Sequence, residues 1–270
     1  MLRSILLIIL FLSSPIIAQE NFSQDSASAI LYHISEVIGP RPLGSPSEQE
    51  GLKYATEKFH DFGCDTSYIM PMTRTDKYNT NSGIAIGVKK GKTDRIILIG
   101  GHMDTVSPEV PGTDDDGSGS ACVIELARIF GKRQTKSTLV FCCFGGEEEG
   151  LEGSQYFVDH FENLNKIAMM LQIDMANGMG VIDLDGDSYG ISAPEWLVQA
   201  GSEEFTELGF ENLRYPTHFF ALNYAFRSGA GSDHESFLQK GIPAIDFTTD
   251  ISNPIHTPLD NWQNFDHRGL

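Results

Sequence analysis

Ile96-Ile97-Leu98-Ile99-Gly100-Gly101-His102-Met103-Asp104 runs from four apolar residues into two glycines, a histidine and an acid. A short apolar run rich in β-branched residues reads as a strand covered on both faces. Residues 138–144 and 168–173 have the same make-up, and they run into Gly145-Gly146-Glu147-Glu148 and into Asp174. Further strands are predicted over 83–88 and 244–248. Helical spacing of apolar residues predicts helices over 25–37, 45–62, 118–130, 151–161, 194–208 and 232–239, with Asp25 and Ser45 or Ser47 as candidate N-caps. Strands alternating with helices give an α/β fold: a three-layer α/β/α sandwich around a mixed, mainly parallel central sheet. Residues 177–227 carry glycines and aromatics around one helix, and they predict loops that roof the site.

In such sheets ligands bind outside the carboxyl ends of the strands. That is where His102, Glu147, Glu148 and Asp174 fall. Between the first two lies Gly112-Thr113-Asp114-Asp115-Asp116-Gly117-Ser118-Gly119, a loop opening a helix, and Asp233-His234 and His256 come later. Adjacent acids repel unless a cation sits among them. Histidine with carboxylates, without cysteine, suits zinc, although manganese or cobalt accept the same ligands. Two close cations need a bridging carboxylate and terminal ligands. The Glu147-Glu148 pair offers one side chain as ligand and its neighbour as base. Asp104 stands two residues from His102, where it can receive the second imidazole N–H. Each residue also has a plainer reading: Asp115 in a turn, Ser118 or Asp233 as helix caps, Asp104 and Asp260 as loop acids. What those readings leave unexplained is the ordered placement of the whole set after apolar strands.

The 270 residues, 40% of them hydrophobic, suit one domain with a sizeable core. A net charge of −18 argues against nucleic acid as a partner. Arg3, the apolar run 5–12 and Ala18 predict a signal peptide over 1–18, with an uncleaved membrane anchor as the alternative. The expectation is an exported protein, periplasmic or secreted, with one catalytic domain over 19–270 and no stable membrane association after cleavage. Cys64, Cys122, Cys142 and Cys143 have no CxxC spacing. They read as buried thiols or as disulfide partners.

Four blocks resemble metallopeptidase family 28, of the bacterial leucyl aminopeptidase type. They are Gly101–Asp104, Asp114–Gly119, Phe144–Ser154 and His256–Asp260, and the resemblance runs from about 81 to 260. It implies a zinc aminopeptidase with two Zn2+ ions per chain, acting on peptides with a free N-terminus. His102 and Glu148 would each bind one ion. Asp115 would bridge the two, and Asp174 and His256 would complete them on opposite sides. Glu147 would be the general base for a metal-bound hydroxide, and Asp104 would orient His102. The sequence departs from the family's pattern in three places. Asp114 replaces an asparagine, Gly146 an alanine, and Ile255 stands where some members carry a tyrosine. Tyr224 is an alternative oxyanion partner, and Phe219, Phe220 and Phe226 are candidate pocket or core residues. The chain stops soon after Asp260, where relatives usually continue into a closing helix, so a short or truncated version is expected. A glutaminyl cyclase-like zinc enzyme and a non-catalytic peptide-binding relative are the competing readings.

Overall fold

The computed structural model describes residues 21–73, 81–177, 182–185, 187–188, 191–207, 213–214, 231–249 and 254–270. Residues 1–18, Phe219, Phe220, Tyr224 and Phe226, all singled out above, lie outside them.

Three parallel strands form the centre of the sheet: β3 (Ile96–His102), β4 (Thr138–Phe144) and β5 (Ile167–Asp174). β10 (Ala244–Thr249) pairs parallel with β5. On the far side of β4, β2 (Asn81–Lys89) pairs antiparallel, and β1 (Thr66–Thr73) closes that edge. β6 (Ile182–Asp185) and β9 (Leu213–Arg214) extend the sheet beyond β10, giving the order β1-β2-β4-β3-β5-β10-β6-β9. β7 (Asp187–Ser188) and β8 (Ile191–Ser192) form a separate small ribbon. The expected mixed sheet, parallel at its centre, is what forms.

Alternation along the strands sends side chains into two cores. Phe141, Cys143, Ala85 and Ile99 pack under α1 (Gln24–Tyr32), α2 (Pro46–Asp61) and α3 (Gly119–Gly131), where they meet Leu31, Phe59 and Val123. Val140, Cys142, Phe144 and Leu98 face the other way, against Phe157 of α4 (Glu152–His160) and Phe237 of α6 (His234–Gln239). Helices on both faces make the three layers. Each large side chain taken fully from water contributes about 1.5–3 kcal/mol, so both faces carry a substantial share of the stability. α5 (Glu195–Glu207) lies against β10 and β6.

Several local expectations change. Ser23, not Asp25, caps α1, its Oγ accepting from Ser26 N at 3.2 Å. The helix expected over 25–37 is α1 followed by a wider π-helical turn, His33–Ile38. Ser45 caps α2 ahead of Pro46. Ser118 does not cap α3. Its hydroxyl donates to Asp114 O and accepts from Ala176 N, tying the acidic loop to the end of β5. Asp233 makes no side-chain cap on α6. β1 was not expected, and the region expected to be loops around one helix contains the short strands β6 to β9. All four cysteines are buried and free, and burial pushes the thiols of Cys64, Cys122 and Cys143 up to about 12.

Candidate metal centre

The parallel order β4-β3-β5 sets the exits of three strands side by side. His102 is the last residue of β3 and Asp174 the last of β5. Glu147 and Glu148 lie in the turn after β4. Asp115 lies in the turn Thr113–Ser118 that opens α3. The Asp115–Asp116 peptide bond is cis. His256 stands in the turn after β10 with φ +59°.

These side chains converge. His102 Nε2 lies 3.1 Å from Asp115 Oδ1 and 3.8 Å from Asp174 Oδ1. His256 Nε2 lies 3.0 Å from Asp115 Oδ2 and 3.1 Å from Glu148 Oε2. Asp115 therefore turns one oxygen to each group, and two donor triads share it: His102, Asp115 and Asp174, and Asp115, Glu148 and His256. Zinc bonded at about 2.0–2.2 Å to tetrahedral ligands keeps those ligands roughly 3.3–3.6 Å apart. The observed separations scatter about that spacing. Asp174 Oδ1 is buried with no hydrogen-bond partner, which leaves a lone pair aimed into the first triad. The donor set fits two zinc ions.

The electrostatics agree. Burial and the charges of Asp174, Asp233 and Glu148 push Glu147 well above the usual carboxylate range, against the pull of His102. Burial raises Glu148 to about 7 and also raises Asp174. Burial pushes Asp115 up too, but hydrogen bonds from His102 and His256 outweigh it and hold the group below its ordinary range. Hydrogen bonds to Asp115 and Glu148 raise His256 to about 10. For His102, burial lowers the pKa, but Asp104, Asp115, Glu147 and Asp116 together raise it well above its ordinary value. Carboxyls that resist ionising, beside histidines that hold their protons, describe a site short of positive charge. Bound cations reverse that condition.

Three further acids hold the backbone of these residues. Asp104 Oδ1 and Oδ2 accept from the N–H groups of Glu147 and Glu148 at 3.0 and 3.1 Å. Asp260 accepts from Asp114 N and Asp115 N at 2.7 and 3.1 Å. Asp116 accepts from His102 N, Gly119 N and Met175 N. The expected contact between Asp104 and His102 is present in altered form. His102 Nδ1 lies 3.2 Å from the backbone carbonyl of Asp104 and 3.5 Å from its carboxylate. The roles of Asp116 and Asp260 escaped the sequence, because a backbone-holding acid has no residue-type signature beyond its place in a motif. Gly146 has φ +76°, a conformation that an alanine adopts only at a cost. Asp114 accepts a hydrogen bond from Asn177 Nδ2 at 2.8 Å. His256 is the open side of the site, its side chain 51% exposed, whereas those of His102 and Asp115 are almost fully enclosed.

Residues 84–270 match the family model described as peptidase family M28. The chain belongs to that family. The M28 match spans all five residues expected as metal ligands and Glu147. Over 262 residues the chain is 28% identical to aminopeptidase YwaD of Bacillus subtilis, covering 90% of this chain and 54% of that protein. It thus spans about half the length of this curated relative. The LapA aminopeptidase of Legionella pneumophila superposes with a TM-score of 0.75 at 25% identity, over 92% of this chain and 66% of LapA. A glutaminyl cyclase from Tannerella forsythia superposes equally well, at 0.75 and 19% identity, over 93% of this chain and 94% of the cyclase. At that identity the likeness is one of fold.

Proposed function

We propose that this M28 chain is a zinc-dependent aminopeptidase that hydrolyses the N-terminal bond of peptides with a free amine. The observation that carries the reading is the single carboxylate of Asp115 shared by two donor triads beside Glu147. His102, Asp115 and Asp174 would hold one zinc ion, and Asp115, Glu148 and His256 the other. When bound, such a pair supplies Lewis-acid polarisation of a carbonyl and an acidified water. Glu147, whose carboxyl burial raises above the ordinary carboxylate range, would take a proton from the attacking water and return it to the leaving amine. Asp104 holds the turn that carries Glu147 and Glu148. The cluster of acids favours a substrate with a cationic α-amine.

Two triads support this reading over a glutaminyl cyclase, which works with one zinc on the same fold. A complete donor set with Glu147 supports it over a non-catalytic module. Nucleic acid is not an expected partner, given the net charge of −18. We further propose that residues 1–18 are a signal peptide, that 19–270 form one catalytic domain, and that the protein is exported to the periplasm or secreted. Among the described residues no helix is long and apolar enough to cross a membrane.

The test is hydrolysis of leucine-p-nitroanilide with and without chelator, beside an N-acetylated substrate and Glu147→Gln. Hydrolysis should vanish with chelator and with N-acetylation. It should fall about 10²–10⁴-fold in kcat for Glu147→Gln with zinc content unchanged. Zinc-loaded protein that is inert here but cyclises N-terminal glutamine would replace the reading with the cyclase one.

A further inference from the structure

Arg41 lies in Gly39-Pro40-Arg41-Pro42, which the sequence presents only as a helix terminator. It is fully buried, and among the described residues no other lysine or arginine is buried. A buried guanidinium is costly unless its donors and its charge are both matched.

Both are matched, and by the segments that carry metal ligands. Arg41 Nε donates to Met103 O at 2.7 Å, the residue directly after His102. Nη1 donates to Pro111 O at 3.0 Å and Nη2 to Gly112 O at 3.0 Å, at the start of the turn that holds Asp115. Nη1 also reaches Gly39 O at 2.7 Å and Ile34 O at 3.1 Å, anchoring the group to the end of the first helix. The Arg41 backbone is tied in turn: its N–H donates to Thr105 Oγ1 at 2.9 Å, and its carbonyl accepts from Thr105 N at 3.1 Å. The counter-charge comes from Asp104, Asp260, Asp116 and Asp115. Three of these hold ligand-bearing backbone, and the fourth is the shared ligand itself.

We infer that Arg41 is a positioning residue for the metal centre: its planar fork fixes the gap between the His102 loop and the Asp115 turn, and so sets the spacing of the zinc ligands. The inference rests on the aminopeptidase reading only for its kinetic readout. A planar group with donors pointing in several fixed directions can join three carbonyl-bearing segments at once. A lysine keeps the charge but concentrates its donors at one point, so Arg41→Lys separates geometry from charge.

The experiment titrates the full chain, wild type and Arg41→Lys, with zinc against a competing chelator. Thermal melting of the zinc-free protein and kinetics of the zinc-loaded protein run beside it. Arg41→Lys should weaken zinc binding by about 10-fold or more, the range for residues that orient ligands. At saturating zinc, kcat should fall while KM changes little. If Arg41→Lys does not fold, Thr105→Val decides, because it removes the Oγ1 acceptor that seats the Arg41 N–H, together with a weak 3.4 Å contact to Ser107 O, and so loosens the seat of the guanidinium without removing its charge. Thr105→Val should weaken zinc binding in the same direction by a smaller factor. A folded Arg41→Lys with wild-type zinc affinity and kcat overturns the inference, and so does an unchanged Thr105→Val where the lysine variant is unfolded. Wild-type protein that binds two zinc ions but does not hydrolyse peptides refutes the activity reading alone, and the zinc titration still tests Arg41.

Discussion

At the scale of the residue, Asp115 and Asp174 make different contributions. Asp115 turns Oδ1 to His102 and Oδ2 to His256, so both of the proposed ions would depend on it. Asp174 faces only the His102 side. Asparagine in place of Asp115 keeps one carbonyl oxygen and substitutes an amide nitrogen that does not ligate. Asp115→Asn should therefore retain at most one tightly bound zinc, whereas Asp174→Asn should keep the ion held by Glu148 and His256. Metal content after dialysis, read by atomic absorption, checks this. Two tightly held ions in Asp115→Asn would falsify the bridging role. The buried thiols are not donors to this site, since none belongs to a metal-binding group among the described residues.

At the scale of the element, the ligand loops are shaped by backbone requirements more than by side chains. Gly112 sits at φ +60°, ψ +54°, and a Cβ there would stand 2.3 Å from Thr105 Cγ2 and 2.6 Å from Asp115 O. Gly112→Ala carries a left-handed penalty of about 1–2 kcal/mol and adds a clash with the backbone of the shared ligand. A lower melting temperature and weaker zinc binding are expected together, by calorimetry and chelator competition; loss of stability with intact zinc affinity would uncouple the turn from the site. The same distinction explains what the sequence made legible. β3, β4 and β5 were plain because buried parallel strands are continuous apolar runs, and their exits located His102, Glu148 and Asp174. β1 was not plain. It is an edge strand containing Pro71, paired only with β2, and proline tells against a strand unless the strand lies at an edge. β6 to β9 have two to four residues each, too short for alternation to register. The turn after Tyr32 passed for helix because one wide turn hardly alters the spacing of apolar residues. Arg41 was read only as part of a terminator because its role depends on carbonyls about seventy residues away in the chain.

At the scale of the whole molecule, excess negative charge gathered in one place makes stability depend jointly on pH and zinc. Burial raises Glu48 to about 8, with Asp104 adding to it. Burial also raises Glu148 and Asp233 to about 7. In the zinc-free protein these acids keep protons that the unfolded chain releases from about pH 4.5 upward. The folded state then binds more protons, so stability falls as pH rises through that window. His256, raised to about 10 by Asp115 and Glu148, acts in the same direction: its contribution is complete below about 6.5 and is lost toward 10. His234 opposes them. Burial depresses it to about 4, so it adds stability as pH rises from about 4 to 6.5 and nothing further above that. Between pH 6.5 and 8 the balance has one sign, and zinc-free protein should melt at progressively lower temperature. Zinc held as proposed would compete with the proton at Glu148 and His256, so its binding should strengthen over the same interval. The melting curve of zinc-loaded protein should therefore stay flat or rise, and the gap between the two should widen from pH 6.5 to 8. Scanning calorimetry of both forms in matched buffers measures that gap. A gap that is constant across the interval would mean that the ions bind elsewhere than among these protonated groups.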